Sequence, residues 1–193
     1  IVYDYANQYL TMSAVLVGIL MLIGMIGVIL VLLVLYAAVQ GFYIVGPAER
    51  GVETRFGAFK RVTMPGPNWH LPQPFESHTL VNVDDVSSFD HKAQMLTRDE
   101  NIVDIEGTIQ YQVADATAYL FNVRRPEISL SQAAETALRE SIGQSKMDFV
   151  ITEGRGQIAF QVENNIQQIM DDYGTGIKVI KVNILNAKPP EAV

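Results

Sequence analysis

The residues able to do chemistry are few, and their spacing works against it. His70, His78 and His91 are the three histidines of the chain, all in segments of extended character and none at metal-ligand spacing. Histidines of that kind are expected at a surface or an interface. Ser145 precedes Lys146, which could set a lysine base against a serine nucleophile, but neighbours along a helix do not face one another. The carboxylate pairs Asp84-Asp85 and Asp99-Glu100 are also adjacent, so in a strand or turn their side chains diverge, which suits a solvated face better than acid–base work. There is no Gly-x-Ser-x-Gly elbow, phosphate loop or His-Glu-x-x-His, and Gly174-Thr175-Gly176 lacks the third glycine of a dinucleotide fingerprint. The absence of cysteine removes disulfides, thiolate metal sites and a cysteine nucleophile. With 21 Asp+Glu against 14 Lys+Arg, a net charge of −7 excludes a nucleic-acid binder that needs a basic face. The expectation is a chain without catalytic, cofactor or metal residues.

The elements around these residues begin with a membrane anchor. Ala14 to Leu35 is a run of 22 apolar or glycine residues, about 33 Å of helix against a hydrocarbon core of about 30 Å. The spacing predicts a transmembrane helix over 13–40, after a flank over 1–12. A cleaved signal peptide fits poorly, since the run is long and no Lys or Arg precedes it. Gly18, Gly24 and Gly27 could admit a second helix, although Gly24 and Gly27 lack the four-residue repeat of the best-known pairing motif. Arg50, Arg55, Lys60 and Arg61 all follow the anchor, which by the positive-inside rule puts the large domain in the cytoplasm. The chain starts at Ile1 without Met, so a tail whose charges belong in that count is expected to be missing.

Gly41 to Val193 is enough for one domain or two small subdomains. Val52 to Val62 reads as a hairpin turning at Gly57, and Pro65-Gly66-Pro67 reads as a break. Trp69 to Leu71 is extended, and Ser77 to Val83 has strand composition. Ile102 to Val113 alternates, with Val103, Ile105, Ile109, Tyr111 and Val113 on one face and Asp104, Glu106, Thr108, Gln110 and Gln112 on the other. Arg98 to Asn101 is the expected turn before it. Ser129 and Gln132 match a capping box for a helix with the stripe Leu130, Ala134, Ala137 and Leu138, ending on a left-handed Gly143. Thr152 is the expected cap of a second helix, with Ile158, Val162, Ile166, Ile169 and Tyr173 on one side before Gly174. Asp171 and Asp172 oppose its macrodipole, so they face water or await cations from a partner. Ile177 to Leu185 returns as a strand, and Pro189-Pro190-Glu191 suits the first turn of a helix cut short at 189–193.

Aromatic residues crowd the bilayer exit. Phe42, Tyr43, Phe56, Phe59, Trp69 and Phe75, with four prolines between Pro65 and Pro74, lie where an apolar ring with a polar tip is favoured. Phe42, Tyr43, Phe59, Trp69 and Phe75 are the membrane-contact candidates. Each buried ring would contribute about 1.5–3 kcal/mol.

The order of Gly41-Phe-Tyr-Ile-Val45, Glu49-Arg-Gly-Val-Glu-Thr-Arg-Phe-Gly57, Pro65-Gly-Pro-Asn-Trp-His-Leu-Pro72, Met95-Leu-Thr-Arg-Asp-Glu-Asn-Ile-Val103, Ala137-Leu-Arg-Glu-Ser-Ile-Gly143, Thr152-Glu-Gly-Arg155 and Ala187-Lys-Pro-Pro-Glu191 resembles the SPFH (band 7, stomatin and prohibitin) superfamily. Within it, the set is most similar to a bacterial inner-membrane branch. The resemblance implies an α+β fold: one transmembrane helix, then a mixed α/β SPFH domain with a membrane-proximal subdomain over 41–96 and a second over 97–188. It implies a non-enzymatic scaffold that pairs with an HflC-like paralogue in a large hetero-oligomeric ring or cage enclosing an FtsH-like AAA protease. It also implies a periplasmic domain, against the charge count, and the family topology is preferred because the tail that decides the count is missing. Lateral contacts are then expected at Asp104, Glu106 and Gln110 of the polar strand face and at Asp171 and Asp172. The alternatives are a stomatin-like scaffold with a cytoplasmic domain organising lipids or membrane proteins, a membrane-tethered hydrolase with an unrecognised site, and a monomeric bitopic receptor domain.

Overall fold

A single helix, α1 (Val2–Gln40), runs for 39 residues because nothing between Val2 and Gln40 stops it; Gly41 does. It begins well before the expected residue 13, since Val2 to Ser13 holds neither Pro nor Gly. From Val15 to Gln40 it is long and apolar enough to cross a membrane, and none of its most apolar stretch is buried in the protein. The computed structural model describes residues 2–152 and 154–188; the helix expected at Pro189-Pro190-Glu191 lies outside them.

Strands β1 (Phe42–Val45) and β4 (Gly66–Trp69) form a two-stranded ribbon beside a second sheet of order β3-β2-β5, made of β2 (Glu49–Arg55), β3 (Ala58–Thr63) and β5 (Glu76–Asn82). The β2–β3 hairpin turns on Phe56 and Gly57, both left-handed at φ 51° and 83°, the backbone a two-residue hairpin loop requires. The expected break at Pro65-Gly66-Pro67 is half wrong. Gly66 and Pro67 belong to β4, where Pro67 opposite Ile44 is tolerated because a two-stranded ribbon consists of edges.

A third sheet has the order β6-β7-β8, all antiparallel, from β6 (Ser87–Leu96), β7 (Ile102–Val113) and β8 (Ile177–Lys188). Because β6 and β7 share this sheet, the expected division after residue 96 would fall inside it, whereas grouping by sheet divides the chain before Ser87. One face is covered by α3 (Pro126–Gly143) and α5 (Arg155–Asp172). Buried Met95, Val103, Ile105, Ile109, Val179 and Val182 meet Leu130, Ala134, Ala137, Leu138, Ile158, Val162, Ile166 and Met170 there. Two short helices, α2 (Ala116–Phe121) and α4 (Met147–Ile151), complete the fold; α2 is capped by Asp115, which accepts from Thr117 and Ala118 N–H.

Three expected helix signals are corrected. α3 starts at Pro126, whose missing N–H suits a first turn, and Ser129 Oγ donates back to the Arg125 carbonyl, so the Ser129–Gln132 capping box does not form. Gly143 is not left-handed; Gly174 at φ 60°, after α5, is. Thr152 closes α4, donating to the Asp148 carbonyl, and α5 instead follows Gly154, where a Cβ would sit 2.3 Å from the Phe149 carbonyl oxygen. The two units join through a small cluster of Val52, Val81, Val113 and Ala116 and through Gln112 Nε2, which donates to the Val83 carbonyl at 2.6 Å.

Candidate membrane-proximal site

Two glutamates with no exposed surface to speak of organise the sheet nearest the helix. Glu53 on β2 is 0% exposed and Glu76 on β5 is 2% exposed, so each needs partners for its charge. A register shift between Glu53 and Thr54 bulges β3, which turns the adjacent Lys60 and Arg61 to one side of the sheet. Glu53 accepts from Arg61 Nε and Nη2 at 2.8 and 2.9 Å and from Tyr43 Oη at 2.9 Å, with Lys60 Nζ at 3.2 Å. Glu76 accepts from Lys60 Nζ and Arg55 Nε at 2.8 Å and, through its other oxygen, from Leu71 N–H at 2.9 Å. Lys60 thus bridges both acids, and three cations face two carboxylates.

Burial pushes the Glu53 carboxyl up, but the hydrogen bonds from Arg61, Tyr43 and Lys60 outweigh it and hold the group at about 2. Glu76 is also held at about 2, first by Lys60 and then by the Leu71 N–H. Burial pushes the Tyr43 hydroxyl up.

The network is built against the helix exit. A Cβ at Gly41 would lie 2.0 Å from the His70 carbonyl oxygen, so only glycine lets the chain pass. His70 N–H donates to the Gly41 carbonyl at 3.0 Å, and Trp69 Nε1 donates to the Ala38 carbonyl of α1 at 2.9 Å. Arg61 Nη2 reaches the Trp69 carbonyl at 3.3 Å. The last turn of the apolar helix and the first sheet are therefore one hydrogen-bonded piece.

The histidine expectation holds for exposed His78 and is corrected for His70. His70 is buried at 6% exposure, and its Nε2 lies 2.9 Å from His78 Nδ1. Tyr43 stacks on His78 with ring centroids 4.0 Å apart. His91 is half-buried on β6, and its Nε2 is a shielded atom without a hydrogen-bond partner. The other polar pairs do structural work. Ser145 Oγ donates to the Ser141 carbonyl, Asp84 and Asp85 wrap Asn82, and Asp99 accepts from Thr97 and the Met147 N–H. Among the described residues no group of His, Asp and Glu could hold a metal ion.

The aromatic candidates divide by strand alternation. Phe42 and Ile44 point outward from β1 and are exposed, while Tyr43 points inward and is buried at 8%, so its place is the Glu53 network. Trp69 and Phe75 are half-exposed; Phe75 meets exposed Phe56 edge-on at 5.8 Å. Phe59 faces Phe121 of α2 at 6.1 Å, on the side toward the second unit. Ile44 went unlisted among the sequence candidates, although the alternation of Phe42 to Val45 already paired it with Phe42.

Asp104, Glu106 and Gln110 lie on the face of β7 away from α3 and α5, where Glu106 takes Lys92 at 2.7 Å and Asn186 at 3.1 Å. Asp171 and Asp172 are exposed at the end of α5, and Asp171 accepts from Gln167. The two groups lie on opposite sides of the sheet and form no single patch.

An apolar helix running straight into a locked β-ribbon, followed by a helix-covered antiparallel sheet, defines the class: residues 43–193 match the SPFH domain / Band 7 family, and the chain belongs to it. Among its relatives, Protein HflK of Vibrio parahaemolyticus is 41% identical over 167 residues, 86% of this chain and 42% of that protein. Modulator of FtsH protease HflK of Escherichia coli K12 is 40% identical over 161 residues, 83% of this chain and 38% of its own length. Protein HflK of Borreliella burgdorferi is 27% identical over 180 residues, covering 85% and 58%. The chain thus spans about two-fifths of the first two relatives.

Proposed function

We propose that this chain is a non-enzymatic membrane scaffold that assembles with an HflC-like paralogue into a ring or cage around an FtsH-like AAA protease and modulates its access to membrane substrates. The observation that carries the reading is the hydrogen-bonded helix exit. A wall element must transmit the position of its anchor to its neighbours, and the bonds from Trp69 to Ala38 and from His70 to Gly41 do so without a flexible linker. The likeness to a relative named as a modulator of FtsH supports the protease as partner. The domain is placed on the periplasmic face of a bacterial inner membrane, with outward Phe42, Ile44, Trp69 and Phe75 meeting lipid. Lateral contacts use the polar face around Asp104, Glu106 and Gln110, and separately Asp171 and Asp172.

Purification in mild detergent should bring an HflC-like chain and an FtsH-like protease along with this one, in particles far larger than a monomer. A monodisperse single subunit would reject the scaffold. A reporter active only in the periplasm, fused after Val193, should be active; activity of a cytoplasmic reporter instead would favour the stomatin-like arrangement, which the cations after the anchor suggest.

A further inference from the structure

Beside the helix exit lies a cavity of about 360 Å³ between the last turn of α1 and the segment from His70 to His78. Its walls include Tyr36, Gln40, His70, Gln73, Ser77 and His78, an unusually polar lining for a place adjoining an apolar helix. A core of about 30 Å is spanned by about 20 residues, so a span that begins at Val15 leaves Tyr36 and Gln40 at headgroup level. Gln40 Nε2 donates to Tyr36 Oη at 2.8 Å, which leaves the phenol proton free to point into the cavity.

The tautomers follow from the bonding. A carbonyl only accepts, so His70 Nδ1, 2.6 Å from the Leu71 oxygen, carries a proton, and its Nε2 accepts from His78 Nδ1. His78 Nε2 is then an acceptor that becomes a donor when it takes up a proton. Behind it, Arg55, Lys60 and Arg61 outnumber Glu53 and Glu76 by one charge.

We propose that this cavity binds a phosphate group, that of a phospholipid headgroup entering from the bilayer surface, with Gln40, Gln73, Tyr36 and His78 as donors. The groups facing His78 are Tyr43 on β1, His70, Glu53 across from it on β2, Tyr36 on α1 and Glu76 farther along β5. His78 is held below its ordinary value by burial and by His70, against the opposing pull of Glu53. A bound phosphate reverses that balance, so binding takes up a proton at His78 and strengthens as pH falls. The site serves either membrane orientation, because it depends only on the helix exit, and its failure would leave the scaffold reading intact.

The test uses the whole chain in a phosphate-free neutral detergent, read by the fluorescence of Trp69, the sole tryptophan. Short-chain phosphatidylglycerol should give a saturable change and diacylglycerol of the same chain length none, while inorganic phosphate competes only at much higher concentration. Gln73→Ala, Gln40→Ala and His78→Ala should each weaken the midpoint about fivefold or more with far-UV circular dichroism unchanged. Tightening between about pH 8 and pH 6 should vanish in His78→Ala. An equal response to diacylglycerol, or unchanged midpoints in all three variants, overturns the proposal. Inorganic phosphate binding as tightly as the lipid would overturn the headgroup as the source and assign the cavity to free phosphate.

Discussion

The two halves of the folded region are held by different forces. The unit formed by β6–β8, α3 and α5 has one continuous apolar core, from Met95 through Leu130, Ile158 and Ile166 to Ala187, which stabilises by burial without fixing directions. The sheet next to the membrane has little such core, sharing Val52 and Val81 with Val113 and Ala116, and relies on Glu53 and Glu76 amid Arg55, Lys60, Arg61 and Tyr43. Ion pairs of this kind contribute little net stability once desolvation is counted, but they fail if the geometry is wrong. The difference teaches a division of labour: the distal half is built to persist, the proximal half to hold one angle between helix and domain.

That contrast can be broken from either side. The largest loss is expected for Ile166→Ala, which empties a fully buried position on α5 and should cost about 2–5 kcal/mol by urea unfolding, with the whole sheet and both helices lost together. Glu53→Ala strands Arg61 and leaves Lys60 with Glu76 alone, but these cations keep 50% and 28% of their side-chain surface in water, so about 3 kcal/mol is expected, the low end for a broken buried pair. Its distinguishing sign is where the loss falls: Trp69 fluorescence should shift at lower urea than the helical circular dichroism. A single shared transition in Glu53→Ala would mean that the two halves are not separable. Gly41→Ala comes next, at about 1–3 kcal/mol, because the new Cβ must displace the His70 carbonyl and with it the bond to α1.

Much of the distal half was legible because its elements carry their own periodicity. Val103 to Val113 alternates and Ile158, Val162 and Ile166 repeat at helical spacing, so strand and helix could be read without a partner, although the buried stripe ends on Met170 and the expected Tyr173 is exposed. β6 was not legible: its inward row is Phe89, His91, Ala93 and Met95, too mixed to announce a buried face, and pairing with β7 creates the strand. The proximal site was hidden for a related reason. Glu53 and Glu76 lie 23 positions apart on hairpin strands that look solvated, and Lys60 next to Arg61 looks like alternate faces until the bulge turns both inward. Tyr43 reads as a membrane ring because it is aromatic and close to the helix exit; the alternation of β1 turns it inward. What could be read was local, and what could not was long-range charge pairing.

Acid should sharpen the same contrast with smaller effects. Glu53 and Glu76 are held at about 2, below their ordinary 4.5. A folded-state value below the unfolded one gives stability that is complete above about 4.5 and lost as pH falls toward about 2. In the distal half Asp99 and Glu106 are also lowered, Asp99 chiefly by the Thr97 hydroxyl and Glu106 chiefly by Lys92, but neither carries a buried core with it. Titration from neutral pH should therefore move Trp69 fluorescence first, within that window, while the helical circular dichroism of α3 and α5 persists to lower pH. The smallest effect is expected at the proposed lateral contacts. Asp171→Lys with Asp172→Lys replaces exposed carboxylates at a helix carboxyl end with cations that complement its dipole, so stability should change by less than about 0.5 kcal/mol, if anything upward. Assembly size in mild detergent should nonetheless fall, because a neighbour's cations would now be repelled. A reversal that leaves both stability and particle size untouched would remove Asp171 and Asp172 from the interface and leave the polar face of β7 as the lateral contact.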